Sequence, residues 1–94
     1  MRNRRAGSAP PDDLARFYAD QYDRVRRTLV LFTGDRQRGE DLAQEVFVRT
    51  CQQWDHVRAM EAPGPWLHRV ALNLAISDAR RSRSERRARR RIEA

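Results

Sequence analysis

Lysine is absent from this sequence, and all 20 basic residues are arginine. Cysteine is nearly absent: a single Cys51 beside two histidines can form neither an internal disulfide nor a zinc site. A lone cysteine in a helical pattern is usually a small core residue. No stretch approaches the roughly 20 apolar residues of a membrane span, and the first arginines precede no apolar segment of the signal-peptide kind. We therefore expect a cytoplasmic protein without disulfide, metal or membrane contact.

The arginines are concentrated at the two ends of the chain. Residues 80–94 hold eight arginines against two glutamates, a net charge of +6, and residues 1–5 hold three arginines. The stretch 6–79 carries nine arginines against eleven acids, so its net charge is −2. A strongly basic end on a nearly neutral domain indicates contact with nucleic acid or another polyanion, and a solvated tail is the alternative.

The first third of the sequence predicts a leader and one long helix. Residues 1–11, with two prolines and no apolar periodicity, predict a disordered leader. Asp12 or Asp13 is a candidate N-cap of the first helix, Gly34 its candidate end, and Asp35 a candidate cap for the next helix. Apolar side chains recur between them at intervals of three and four residues: Leu14, Phe17, Tyr18, Tyr22, Val25, Leu29 and Phe32.

Two further helices follow. The second is predicted over residues 36–54, and residues 55–64 predict a loop because proline and glycine interrupt the pattern. A third helix begins near Pro65 and loses its apolar positions beyond Arg80, where it either continues as an exposed basic rod or frays. No segment shows the alternation of a strand. The sequence thus predicts an all-α fold, a small bundle of three to four helices.

The sequence offers little support for catalysis. His56 and His68 have no regularly spaced cysteine or histidine partner, and no pair of carboxylates stands where a pocket could isolate it. A bundle this small has little room for a buried active site. We expect a protein that is not an enzyme and needs no cofactor.

A polar surface on the second helix is the first candidate site. Asp41, Gln44 and Glu45 stand at positions i, i+3 and i+4 and therefore share one helix face. Acidic and amide groups beside an apolar stripe suit a basic, helical partner. An ordinary solvated face is the alternative.

A polar stripe on the third helix is the second candidate site. It consists of Trp66, Arg69, Asn73, Ser77, Arg80 and Arg81. Arginine neutralises phosphate, asparagine bonds base edges, and an aromatic ring stacks on an unpaired base. The alternative places Trp66 in the core and leaves Asn73 merely polar. The predicted loop 55–64 lies beside this stripe and is long for a simple connection, which favours a part in recognition.

Several segments, taken in order, resemble region 2 of the extracytoplasmic-function (ECF) sigma factors, a branch of the sigma-70 family. The resemblance covers roughly residues 12–82, which we take as the region 2 domain. It rests on motifs that follow one another at family-like spacing: Gly34-Asp35, the string EDLAQEVF at 40–47, the string WLHRVALN at 66–73, and DARR at 78–81.

The resemblance implies two macromolecular partners. In the family, the helix with the pattern D-x-x-Q-E binds the coiled coil of the β′ clamp of RNA polymerase core, which assigns that contact to Asp41, Gln44 and Glu45. The next long helix and the loop before it recognise the promoter −10 element, where the non-template strand is melted and one base is flipped into the loop.

The implied DNA contacts lie in the loop and on the third helix. Val57 stands where the family often has a loop aromatic, so hydrogen bonds from Asp55, Arg58 or Glu61 are an alternative to stacking as the means of base capture. The candidate DNA-binding residues are Asp55, Val57, Arg58, Glu61, Trp66, Arg69, Asn73, Ser77, Arg80 and Arg81.

The resemblance also implies features beyond region 2. The family's second domain, a helix-turn-helix that reads the −35 element, is not in this sequence. Residues 83–94 resemble the start of the linker to it, and we expect the chain to be a fragment of a longer protein. Family members are often held inactive by an anti-sigma factor, which we expect as a further partner.

Two other functions compete with this interpretation. One is a sigma-like interaction module that binds a protein partner, such as an anti-sigma factor, without reading DNA. The other is an unrelated basic helical protein on RNA or an anionic membrane. A membrane-surface helix needs a large exposed apolar stripe opposite its arginines, whereas the apolar stripes here are needed for the core.

Overall fold

A computed structural model describes residues 11–93 of the chain. Within that range the chain forms four α-helices: α1 Asp12–Thr33, α2 Arg36–Gln52, α3 Trp54–Arg58 and α4 Pro63–Glu93. Helices α1 and α2 pack most extensively on each other, α4 packs on both, and the short α3 contacts α1 and α2. The predicted all-α bundle is confirmed. Residues 1–10 of the predicted leader lie outside the described residues.

The turn between α1 and α2 follows the sequence expectation. Gly34 has φ +70°, in the left-handed region that favours glycine, and its N–H donates to the Val30 carbonyl at 2.9 Å. Asp35 is extended, and its carboxylate accepts from the Arg38 N–H at 3.1 Å. These two residues end one helix and begin the next within two positions, so α1 and α2 run back along each other.

A buried glycine sets how closely α1 and α2 approach. A Cβ atom on Gly39 would lie 2.6 Å from the Cα and the backbone nitrogen of Val30, closer than side chains tolerate. The absence of a side chain at this one position therefore lets the two helices meet nearly backbone to backbone. This role could not be predicted from the sequence, because nothing local distinguishes Gly39 from a glycine on a surface.

The core has two parts. The larger lies where α1, α2 and α4 meet, and Leu29, Val46 and Leu67 are at most 1% exposed there. The smaller lies beneath α3 and consists of Leu14, Trp54 and Val57. Trp66 and Phe17 are partly buried and pack against both. Burial of apolar surface of this kind stabilises the fold by about 25 cal/mol for each Å² removed from water.

The predicted loop 55–64 is wrong in its first half. Residues 54–58 form the helix α3, and α4 begins at Pro63 rather than near Pro65, so only residues 59–62 connect them. The physical reason is burial: Trp54 is 7% exposed and Val57 is fully buried, and one helical turn brings both onto the same side. A segment of five residues has no helical stability of its own, so tertiary contacts hold it.

Two smaller predictions are also wrong, and one apolar position of the predicted first helix is exposed. Cys51 is exposed rather than part of the core, because Thr50 beside it takes the buried position and donates its hydroxyl to the Val46 carbonyl at 2.9 Å. The N-cap of α1 is Pro11, and no side chain caps that helix. Phe32 is 47% exposed because it lies at the last turn of α1, beyond the main core.

Helix α4 continues well past the core. It spans 31 residues, which corresponds to a length of about 46 Å. Of the two possibilities for the basic segment, rod or frayed end, the structure shows the rod. Every arginine from Arg83 to Arg91 is exposed. No helix in residues 11–93 is long and apolar enough to cross a membrane.

Candidate functional site

The predicted acidic face of α2 is a single exposed surface. Asp41, Gln44 and Glu45 are all exposed, while Leu42, Ala43 and Val46 between them are buried. Two hydrogen bonds order the carboxylates: Gln37 Nε2 donates to Asp41 Oδ1 at 3.0 Å, and Arg49 Nε donates to Glu45 Oε2 at 3.4 Å. The structure therefore brings the three predicted residues together. 

An apolar side chain lies within this face. Val48 is 52% exposed, and it stands four residues after Gln44 and three after Glu45, which places it on the same side of α2. Its exposure was not predicted from the sequence, because Val48 follows directly on the core positions 46 and 47. A polar face that includes an exposed apolar group, here at its C-terminal end, resembles the surfaces of protein interfaces.

The predicted stripe on α4 is exposed along most of its length. Its members Arg69, Asn73, Ser77, Arg80 and Arg81 are exposed, and they follow the spacing of one helix face. Trp66 is only half-buried: it packs against both parts of the core and has the rest of its ring at the surface. The stripe runs without interruption into the arginine-rich segment 83–91.

A further residue of this surface was missed. Ile76 is 43% exposed and stands three residues after Asn73 and four before Arg80, so it lies within the stripe. No role was predicted for it from the sequence. An exposed β-branched side chain amid polar groups offers apolar contact to a base or a sugar.

A buried carboxylate fixes the C-terminal part of the stripe. Asp78 is 6% exposed, and its two oxygens accept hydrogen bonds from Arg38 Nε at 3.1 Å and from Arg81 Nη2 at 3.3 Å. Arg38 belongs to α2, so Asp78 ties α4 to α2 and at the same time orients Arg81. The spacing 67, 71, 75, 78 places Asp78 on the buried side of α4, and this is the signal that could have identified it.

The candidate residues around α3 are placed very differently from one another. Val57 is 0% exposed and packs in the smaller core part with Leu14 and Trp54, so its prediction as a DNA-binding residue is wrong. Asp55 and Glu61 are exposed. Val57 occupies the inward side of α3, and the side chains left for an outside partner are therefore polar.

Arg58 is engaged within the protein. Its Nη2 atom lies 2.8 Å from Asp13 Oδ2, its Nε atom donates to the same oxygen at 3.0 Å, and its Nη1 donates to Asp55 Oδ1 at 3.2 Å. Trp54 Nε1 donates to the other oxygen of Asp13 at 3.2 Å. The Arg58 guanidinium also lies 5.9 Å from the centre of the Trp54 ring, within the range of a cation–π contact.

These contacts change the ionisation of both partners. Partial withdrawal from water raises the pKa of Asp13, but the hydrogen bonds from Arg58 and Trp54 lower it by more, so the pKa lies below its ordinary value of 3.8. The hydrogen bond to Asp13 raises the pKa of Arg58. Both groups are therefore charged at neutral pH, and the pair holds α3 against the start of α1.

A groove between α2 and α4 joins the two candidate surfaces. Its volume is about 320 Å³, and it is lined by Arg49 of α2 and by Val70, Asn73, Leu74, Ser77 and Arg81 of α4. Arg49 also pairs with Glu45 of the acidic face. Among the described residues, no group of three or more histidines, cysteines or acids is placed to hold a metal ion.

Comparison with known proteins gives the family. A model described as "Sigma-70 region 2" matches residues 17–85, which include α2, α3, the stripe and most of α1. This chain belongs to the sigma-70 region 2 family. The ECF RNA polymerase sigma factor SigE of Mycolicibacterium smegmatis is 36% identical over 70 residues, 74% of this chain. The ECF region 2 assignment made from the sequence motifs is confirmed.

The sigma domain covers a minor part of that relative. The chain spans 26% of the length of the SigE protein. No solved structure matches this chain. Members of the sigma factor family are transcription initiation factors and not enzymes. The acidic face of α2 and the stripe of α4 lie within the matched residues.

Proposed function

We propose that this sigma region 2 domain binds RNA polymerase core through α2 and recognises the promoter −10 element through α4. The observation that carries the proposal is the exposed stripe Arg69, Asn73, Ser77, Arg80 and Arg81, continuous with the basic rod. A cationic and amide-bearing surface of this length suits a single strand of nucleic acid. The role places the domain in the cytoplasm with the polymerase.

The polymerase contact is assigned to the acidic face of α2. Asp41, Gln44 and Glu45 present two carboxylates and an amide to a basic partner, the coiled coil of the β′ clamp. Val48 supports this assignment, because an exposed apolar side chain beside these polar groups gains by exclusion of water when a partner covers it.

The DNA contact is assigned to α4 and to the connection before it. Arg69, Arg80 and Arg81 neutralise phosphates of the non-template strand, and Asn73 bonds a base edge or the backbone. Ser77 and the exposed part of Trp66 complete the surface. The strand runs along the stripe, and phosphate contacts position it while base contacts select its sequence.

Base capture in this domain relies on hydrogen bonds. Val57 is buried and Arg58 is held by Asp13, which leaves the carboxylates of Asp55 and Glu61 as exposed acceptors for a flipped base. Flipping costs a few kcal/mol of lost stacking. Contacts of the strand with the arginines of α4 offset that cost.

The DNA assignment is tested with a randomised pool of single-stranded oligonucleotides at two salt concentrations. We expect a selected short motif and an affinity that falls as salt rises. The double variant Asn73→Ala with Arg80→Ala should weaken binding to that motif at least tenfold and leave the helical CD spectrum unchanged. Arg27→Ala, at an exposed position of α1, is the matched control. Unchanged binding by the double variant would show that the stripe does not read DNA.

The polymerase assignment is tested with the core enzyme of Mycolicibacterium smegmatis, the source of the relative. Asp41→Ala with Gln44→Ala should weaken binding to core without changing affinity for single-stranded DNA. Asp20→Ala, an exposed acid on α1, controls for the lost charge. Equal loss of both affinities would point to misfolding, and no loss would remove α2 from the interface.

An interaction module without DNA reading is the second candidate function. Leu31 and Phe32, adjacent at the end of α1, are 83% and 47% exposed, which favours a contact with another protein, such as an anti-sigma factor. Salt-sensitive binding of the oligonucleotide pool without any selected sequence would favour this candidate, since the arginine rod alone binds phosphate regardless of sequence.

A further inference from the structure

Arg49 lies at the junction of the two proposed surfaces. It belongs to α2, yet its side chain lines the same groove as Asn73, Ser77 and Arg81 of α4. The groove has a volume of about 320 Å³, near the lower end of small-molecule pockets in proteins. No acidic residue is among the residues that line it.

The groove combines three kinds of group. Two guanidinium groups come from Arg49 and Arg81, an amide and a hydroxyl come from Asn73 and Ser77, and Val70 and Leu74 add apolar surface. A nucleotide carries the complementary set: a phosphate for the cations, a base edge for the amide, and a sugar and base plane for the apolar side chains. A small neutral ligand would offer no negative charge to the N–H donors of the two guanidinium groups that face the groove.

Both arginines are oriented before any ligand arrives. Arg49 Nε is 3.4 Å from Glu45 Oε2, and Arg81 Nη2 is 3.3 Å from Asp78 Oδ1. Each of these contacts uses one nitrogen of a guanidinium group that has five N–H donors. The carboxylates therefore hold the side chains in place and leave further donors for a phosphate. The two arginine side chains are 48% and 65% exposed.

We propose that this groove holds one nucleotide of the single strand, and that Arg49 of α2 binds its phosphate together with Arg81. The proposal rests on the proposed function, because it adds a side chain of α2 to the DNA-binding stripe of α4. Arg49 becomes a DNA-binding residue on the helix otherwise assigned to polymerase. The strand then lies between α2 and α4 at this point rather than on α4 alone.

The test compares substitutions of Arg49 with a matched arginine on the same helix. Arg49→Gln should weaken binding of the selected oligonucleotide roughly tenfold, as expected for a lost charged hydrogen bond. It should also lower the slope of log affinity against log salt by about 0.7, the value for one contact with a single-stranded phosphate. Arg49→Lys should keep the slope and lose part of the affinity, because lysine keeps the charge and loses the planar fork.

Arg36→Gln is the matched control. Arg36 also lies on α2 and also pairs with an acid four residues away, Glu40, at 3.7 Å, but it does not line the groove. Its substitution should leave the salt slope unchanged. The same slope for Arg49→Gln and Arg36→Gln overturns the proposal.

The outcomes separate this proposal from the function on which it rests. If Asn73→Ala with Arg80→Ala loses binding and Arg49→Gln does not, the groove is not a nucleotide site and the DNA-reading stripe stands. If Arg49→Gln weakens polymerase binding and leaves DNA affinity unchanged, the groove belongs to the protein interface and the proposal fails. If the unmodified domain shows no salt-dependent binding at all, the proposed function fails with it.

Discussion

Asp13 and Arg58, which are 45 positions apart, form an ion pair in which both carboxylate oxygens accept from the guanidinium group, with a shortest distance of 2.8 Å. Asp13 lies in the first turn of α1 and Arg58 is the last residue of α3, so the pair holds α3, beside the proposed DNA surface, against the start of α1. The same carboxylate accepts from Trp54, and a single acid thereby orients two side chains of α3.

Loss of this pair should show as a pH-dependent change in stability. The pKa of Asp13 is lower in the folded protein than its ordinary value of 3.8, so its contribution is present above that value and is lost as pH falls through the folded pKa. We expect Asp13→Asn to lower Tm at pH 7 and to differ progressively less from the unmodified chain below pH 3.8. Thermal unfolding at a series of pH values measures this. Asp12→Asn is the control, and a difference that is constant with pH would contradict the assignment.

The close approach of α1 and α2 should make Gly39 intolerant of any side chain. Alanine is the better helix former by about 1 kcal/mol, yet its Cβ would lie 2.6 Å from the Val30 backbone. We expect Gly39→Ala to lower the free energy of unfolding by about 1–3 kcal/mol, as for an overpacked core. Gly64→Ala, where a Cβ meets nothing within 4 Å, should change it by less than about 1 kcal/mol. Urea unfolding followed by CD compares the free energies of unfolding of the two variants. Equal effects would show that α1 and α2 can move apart to accommodate the Cβ atom at no cost.

The buried carboxylate of Asp78 should contribute to stability through its two arginine partners. Asp78→Asn leaves Arg38 and Arg81 without a charged acceptor, and because both arginines are partly exposed we expect a loss of about 1–2 kcal/mol. Asp23→Asn removes an exposed carboxylate 3.6 Å from Arg26 and should cost no more than about 0.5 kcal/mol. Chemical denaturation of both variants tests the difference. A loss as small for Asp78→Asn as for Asp23→Asn would mean that water replaces the pair at no cost.

The arginine rod should add affinity for nucleic acid that is independent of sequence. Replacing the five arginines at 86, 87, 89, 90 and 91 by glutamine should weaken binding to all oligonucleotides alike and lower the salt slope by up to about 3.5. Lysine at the same five positions should restore the slope, because the charge returns. Binding isotherms at several salt concentrations measure it. A loss confined to the selected motif would instead mean that the rod reads bases.

The local features of the fold were predictable from sequence. The periodicity of Leu14 to Leu29 gave the buried side of α1, and Gly34 with Asp35 gave the turn, because helix ends depend on the conformation and hydrogen bonding of a few adjacent residues. The acidic face of α2 and the stripe of α4 were predictable for the same reason. Residues three and four positions apart on a helix must share a face.

The features that were missed depend on contacts between distant segments. Asp13 looks like a helix cap in the sequence, and only the fold shows that it bonds α3 from 41 to 45 residues away. Val57 was predicted to contact DNA because residues 55–58 were expected to belong to a loop. Asp78 bonds Arg38 across 40 residues, and its burial was not anticipated. The spacing 67, 71, 75, 78 could have shown that Asp78 is buried. No local pattern identifies the partners of these residues, because the partners come together only when the helices pack.

Helix α4 is held in the core through its N-terminal half, and its C-terminal half extends beyond the core. Ala71 and Ala75 are 1% exposed where α4 meets the other helices, and their small size sets how closely and at what angle α4 crosses them. Glu93 lies 18 residues beyond Ala75, about 27 Å along a helix axis, so a tilt of about 10° at the alanines displaces the far end by about 5 Å. The positions of the arginine charges therefore depend on how two buried methyl groups pack in the core.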